Sequence, residues 1–100
     1  MLDLTYATFQ ETLDAHPLVL VDFFAPWCAP CAKMRPVLEA AQAQLPQVLC
    51  ASVDVDQEDD LAVENEISLL PTLVLYREGK EAQRIVGTLT LEQLAAKLKL

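Results

Sequence analysis

Two cysteines with two residues between them stand in the run Ala25-Pro26-Trp27-Cys28-Ala29-Pro30-Cys31, and they are the residues best suited to chemistry. A thiolate is both a nucleophile and a metal ligand, so a Cys-x-x-Cys pair points to disulfide exchange or to half of a zinc site. The pair follows the apolar run Leu18–Phe24. It precedes a segment in which Met34, Val37, Leu38, Ala41 and Leu45 recur at helical spacing. It therefore sits where a buried strand passes into a helix. Cys28 falls in the first turn of that helix, where unpaired N–H groups and the helix dipole stabilise an anion and lower a thiol pKa. Three residues on, Cys31 shares its face. From there it can attack a mixed disulfide formed on Cys28 and release a reduced product. Pro30 has no N–H to lose in a first turn, and its fixed φ stiffens the loop.

The two other uses of such a pair are a zinc site and inert core thiols. Structural zinc takes four ligands, usually from two such pairs, and the remaining candidates are the isolated Cys50 and His16. The flanking Trp27 and Pro30 and the helix-start position argue against a purely structural pair. Cys50, in an apolar strand, reads as a buried inert thiol. His16 reads as a solvated loop residue. Asp54, Asp56 and Glu58 imitate the start of a calcium loop, but its sixth and twelfth positions are Asp59 and Asn65 where glycine and glutamate are needed, so no metal is expected.

The elements that position the pair follow from pattern. Thr8-Phe9-Gln10-Glu11 reads as a capping box for a helix running to Ala15 and ended by His16-Pro17. Leu18–Phe24 lacks alternation, as expected of a strand covered by helices on both faces. Pro36 should kink the long helix after the cysteines. Val48 to Val55 reads as a strand, Asp56 as the cap of a helix fading near Ile67, and Thr72 to Tyr76 as another strand. Glu78-Gly79-Lys80 is a turn into a last strand, Ala82 to Val86. Thr90-Leu91-Glu92-Gln93 is a second capping box, and Leu91, Leu94, Ala95 and Leu98 line one face of a final helix. Parallel strands with crossover helices come first and an antiparallel hairpin last. The expectation is one α/β domain over residues 1–100, a three-layer α/β/α sandwich with a central mixed sheet.

Composition limits the partners. The formal net charge of −8 disfavours nucleic acid and anionic membrane, which need basic patches. No run approaches the roughly 20 apolar residues of a membrane span. Met1-Leu2-Asp3-Leu4 lacks the basic and then apolar regions of a signal peptide, and with the odd cysteine count this leads us to expect a cytoplasmic protein.

Val21-Asp22-Phe23-Phe24-Ala25-Pro26-Trp27-Cys28-Ala29-Pro30-Cys31 resembles the active-site signature of the thioredoxin family, usually Trp-Cys-Gly-Pro-Cys. The resemblance spans essentially the whole chain. Pro36 stands where the family carries its helix-kinking proline, and Val53-Asp54-Val55-Asp56 resembles its third strand and turn. Leu70-Pro71-Thr72-Leu73 resembles the cis-proline segment, and Gly79 and Val86-Gly87 the hairpin turn and late glycine. Departures are Ala29 for the usual glycine, Ala32 and Ser52 where lysines are frequent, and Phe24 for a common tryptophan.

The resemblance implies a thioredoxin-like fold and a protein-disulfide reductase without a bound cofactor. Cys28 would attack, Cys31 would resolve, and the two would alternate between dithiol and disulfide. It implies that Asp22 exchanges a proton with Cys31. Read from the residues alone, a buried acid satisfied by hydrogen bonds is an equal possibility. It implies a cis Pro71 facing the dithiol, beside which a substrate peptide pairs like an added strand, in an apolar groove formed with Trp27, Pro30, Leu70 and Gly87. The implied partners are disulfide-containing proteins and a flavin- and NADPH-dependent thioredoxin reductase, and a monomer is expected. Two further readings are an oxidase or isomerase, whose relatives often carry histidine between the cysteines, and a binding subunit that uses the groove without redox turnover.

Overall fold

In the computed structural model of the chain, which describes residues 1–99, the apolar run Leu18–Phe24 is the central strand of the sheet. In chain order the elements are β1 (Leu2–Asp3), α1 (Tyr6–Ala15), β2 (Leu18–Phe24), α2 (Ala29–Gln44), β3 (Leu49–Asp54), α3 (Asp59–Glu64), β4 (Thr72–Arg77), β5 (Lys80–Val86) and α4 (Leu91–Leu98). The five strands are ordered β1-β3-β2-β4-β5. The β1–β3 and β2–β3 pairs are parallel, and the β2–β4 and β4–β5 pairs antiparallel, so the sheet is mixed as expected.

Strand periodicity divides the apolar residues between two layers. Val19, Val21 and Phe23 of β2, with Ala51, Val53, Val74 and Tyr76, pack against Phe9 and Leu13 of α1 and Leu61 of α3. Leu20 of the same strand joins Cys50, Leu73 and Leu75 beneath Met34, Leu38 and Ala41 of α2 and Leu94 and Leu98 of α4. β2 therefore has an apolar side chain to bury on each face, which is why its sequence shows no alternation. The exception is Asp22, which stands in register with Ser52 of β3 and Leu73 of β4 on the α2 side of the sheet.

The structure corrects three expectations about helix ends. The N-cap of α1 is Thr5, not Thr8. Thr8 is the third helical residue, and its hydroxyl accepts the Thr5 N–H at 2.9 Å. Starting the helix one turn earlier still buries Phe9 and Leu13 together. Asp56 does not cap α3: Glu58 is the cap residue, and the helix ends at Glu64, short of Ile67. Asp56 instead lies in a turn held by Asp54 Oδ1, which accepts the Asp56 N–H at 2.9 Å. The strand read over Ala82 to Val86 begins earlier, at Lys80. The Thr90 capping box forms as expected: Thr90 Oγ1 accepts the Gln93 N–H and Gln93 Oε1 accepts the Thr90 N–H.

Candidate active site

The central strand β2 ends at Phe24, and Ala25-Pro26-Trp27 carries the chain into α2. Cys28 is the N-cap of that helix, and its sulfur accepts the Cys31 N–H at 3.3 Å. The Cys28 N–H donates to the Ala25 carbonyl at 3.1 Å, and the Ala32 N–H to the Cys28 carbonyl at 3.2 Å. A helix start leaves N–H groups without intrahelical acceptors, and here one of them is aimed at the Cys28 sulfur. Pro30 occupies the second helical position, where no donor is lost. Cys28 and Cys31 are joined as a disulfide with Cα atoms 5.3 Å apart, and both are buried. They form an apolar cluster with Ala25, against which Phe24, Val55 and Leu70 pack.

Below the pair lies Asp22, 1 % exposed. Its Oδ1 has no hydrogen-bond partner among the described residues. Burial pushes its carboxyl up and the positive charge of Arg35 opposes the rise, leaving it at about 7. A cavity of about 370 Å³ opens from the surface onto Asp22, Cys28 and Cys31 and is also lined by Phe24, Ala32 and Arg35. An acid that titrates near neutrality beside a dithiol can hold or release a proton there. Ser52, its neighbour on β3, donates its hydroxyl at 2.6 Å to Asp3 on β1.

The segment beside the dithiol is built from β4 and the loop before it. The Leu70–Pro71 bond is cis. The Pro71 carbonyl accepts the Gly87 N–H at 2.9 Å, and the Thr72 hydroxyl donates to the Leu69 carbonyl at 2.6 Å. Gly87 has φ +97°, a conformation that L side chains rarely adopt, and a Cβ there would meet nothing within 4 Å. The loop is anchored by groups that local pattern does not reveal. Arg84 of β5 donates to the Asn65 and Glu66 carbonyls at 2.7 and 3.0 Å while paired to Glu81. The Tyr76 hydroxyl, kept protonated by burial, donates to Asn65 Oδ1 at 2.7 Å.

The structure thus brings Cys28, Cys31, Asp22 and Leu70 into one locus and joins Pro71 to Gly87. Trp27 is 71 % exposed, and its indole N–H donates to Asp56 Oδ2 at 2.9 Å. Pro30 is exposed on the same turn. Exposed Leu69 and Val86 flank Leu70 and Gly87 and add to the apolar surface. The sequence reading missed four contributors: Asp56 as the partner of Trp27, Arg84 and Tyr76 as anchors of the Pro71 loop, and Arg35 in the cavity. Only Arg35 carried a local signal, standing one helical turn beyond Cys31. Cys50 is buried in β3 away from the cavity, and burial pushes its thiol up to about 11.

Comparisons with known proteins agree with this geometry. The family model for thioredoxin matches residues 1–100. The chain is 49 % identical over 73 residues to the thioredoxin of Chlamydia trachomatis serovar D, covering 73 % of this chain and 72 % of that one. It is 41 % identical over 83 residues to thioredoxin-1 of Saccharomyces cerevisiae, covering 83 % and 81 %. Among solved structures it resembles the oxidised form of mitochondrial thioredoxin 3 from Saccharomyces cerevisiae, with a TM-score of 0.91 and 31 % identity over 99 % of this chain and 93 % of that one.

Proposed function

Because the chain belongs to the thioredoxin family and is a thiol–disulfide oxidoreductase of the protein-disulfide reductase type, we propose that Cys28 is its attacking thiolate, Cys31 its resolving thiol and Asp22 the proton acceptor. The observation that carries the assignment is the Cys31 N–H aimed at the Cys28 sulfur at the start of α2. The same dipole and donor stabilise a Cys28 thiolate once the disulfide is reduced. That thiolate attacks a substrate disulfide, forming a Cys28–substrate bond and expelling one substrate sulfur as thiolate. Cys31 then gives its proton to Asp22 and attacks the Cys28 sulfur. The Cys28–Cys31 bond forms, the bond to substrate breaks, and the second substrate sulfur leaves with its electron pair. The protein is left oxidised and the substrate carries two reduced sulfurs.

Docking falls to the apolar surface around the pair. Trp27, Pro30, Leu70, Pro71 and Gly87 form a groove for an extended peptide. The backbone just before Pro71 offers main-chain groups to that peptide as an added strand would. Family membership gives disulfide-containing proteins as substrates and a reductase as the partner that restores the dithiol. For this chain we take the reductase to be flavin- and NADPH-dependent, the protein to be a monomer and its compartment the cytoplasm. No helix among the described residues is long and apolar enough to cross a membrane.

Trapping tests the assignment. A Cys31→Ser variant, reduced and then exposed to a disulfide-bonded peptide, should accumulate a stable mixed disulfide on Cys28, found by mass spectrometry of the digested adduct. The wild type should release the peptide reduced. An adduct on Cys50, or none in the variant, would contradict these roles.

A further inference from the structure

The cavity beneath the dithiol holds an acid with an unpartnered oxygen and a base with uncommitted donors. Asp22 Oδ1 has no hydrogen-bond partner, and no side-chain hydrogen bond or ion pair engages Arg35 among the described residues. Both side chains line the same cavity with Cys31. The placement follows from the helix: Cys31 and Arg35 are four residues apart on α2, so they share the face that looks down on the sheet at Asp22. Half-buried Arg35 carries five N–H donors on a planar, positively charged guanidinium. Arg84, the arginine that anchors the Pro71 loop, spends its donors on Glu81 and two carbonyls.

We propose that Arg35 is a positioning residue for the proton step, its guanidinium facing Asp22 through the cavity and holding that carboxylate in the ionised form that accepts the Cys31 proton. The inference rests on the reading of Cys31 and Asp22 given above. The other groups around Asp22 do not supply this charge. From β3 comes Ser52, whose hydroxyl is given to Asp3, the acid in register with it on β1. From β4 comes apolar Leu73, and from α2 come Cys28 and Cys31, neutral while joined as a disulfide. Burial favours a neutral Asp22, and Arg35 opposes it. Without Arg35 a smaller fraction of Asp22 is ionised at neutral pH. Cys31 then has no acceptor for its proton in more of the molecules. The Cys28–Cys31 bond forms more slowly, and the substrate thiolate departs later.

The test compares Arg35→Gln and Arg35→Lys with the wild type in two ways. The first is a carboxyl-carbon NMR titration of the oxidised protein, in which the Asp22 signal is assigned by its loss in Asp22→Asn. Removing the charge should raise the Asp22 midpoint by roughly half a pH unit or more, and lysine should restore most of it. The second is the rate at which the reduced protein reduces a disulfide-bonded peptide. Arg35→Gln should be several-fold slower at pH 6.5 and match the wild type at pH 9, where Asp22 is ionised in both; Arg35→Lys should stay near the wild type throughout. An unchanged midpoint in Arg35→Gln, or no rescue by lysine, overturns the electrostatic role. A shifted midpoint with a rate deficit constant across pH overturns the role in the proton step. Because the titration uses the oxidised protein without substrate, it reads the Arg35–Asp22 coupling even if the reductase assignment fails.

Discussion

Replacing Asp22 with asparagine should make the oxidised protein more stable, by an amount set by pH. Asp22 is buried in the sheet with an oxygen that finds no donor among the described residues, and its carboxyl is raised from 3.8 to about 7. A group whose folded pKa lies above its unfolded value binds a proton more tightly when folded. Stability is therefore highest where both states are protonated, below the unfolded value, and falls as pH rises from about 4 to about 7. The separation of about three pH units, at about 1.4 kcal/mol each, puts the cost of ionised Asp22 near 4 kcal/mol above neutrality. Asparagine keeps the shape and cannot ionise, so it removes that cost. Urea unfolding of oxidised wild type and Asp22→Asn, followed by circular dichroism, should show a small difference at pH 4.5. The gain should grow through neutrality and level off by pH 8 at a few kcal/mol. A gain of the same size at every pH would mean that packing, not ionisation, controls the effect. No gain at pH 8 would show that the carboxylate is solvated in the folded protein and would remove the basis for its role as a neutral-pH proton acceptor.

Two further outcomes follow from the packing and the groove. Leu38 is fully buried between α2 and the sheet, so Leu38→Ala should cost about 2–5 kcal/mol in denaturant unfolding at unchanged m-value. Gly87→Val places a branched side chain at positive φ, where the strain costs roughly 1–3 kcal/mol, but into open space beside the Pro71 carbonyl. It should raise KM for a protein disulfide several-fold while leaving reduction of a small aromatic disulfide, which needs no groove, near the wild-type rate.

Those parts of the fold that depend on contiguous pattern were legible in the sequence. Leu18–Phe24 has something to bury on both faces, and its unbroken apolar run declares this. The Thr90 box caps α4 because both partners lie within one turn. The start of α1 was misplaced because Thr5 and Thr8 stand three residues apart, and each can serve as a cap. The choice falls to Thr5, whose carbonyl accepts the Phe9 N–H, a preference that the short pattern around Thr8 and Glu11 hides. Asp56 departs from its expected capping role for a different reason. Its carboxylate has a local use at a helix start and a distant one at Trp27, 29 residues away, and the distant one prevails. Arg84 and Tyr76 reach Asn65 in the Pro71 loop from 19 and 11 residues away, separations that periodicity cannot express. The dithiol was readable because the strand and helix that flank it are adjacent in the chain, whereas the role expected of Asp22 came from the family resemblance and not from its local pattern. Arg35 shares that segment, and the same turn-by-turn spacing that linked Cys28 to Cys31 extends to it.

The reduction potential of the Cys28–Cys31 pair tests the central claim most directly. Trp27 is the chain's single tryptophan and adjoins Cys28, so its fluorescence should follow the transition in thiol redox buffers. A reductase should titrate reversibly near the roughly −270 mV of thioredoxin. A value near the roughly −120 mV of a strong oxidant such as DsbA would contradict the account and assign the chain to disulfide formation, and the absence of any reversible transition would assign it to binding without turnover.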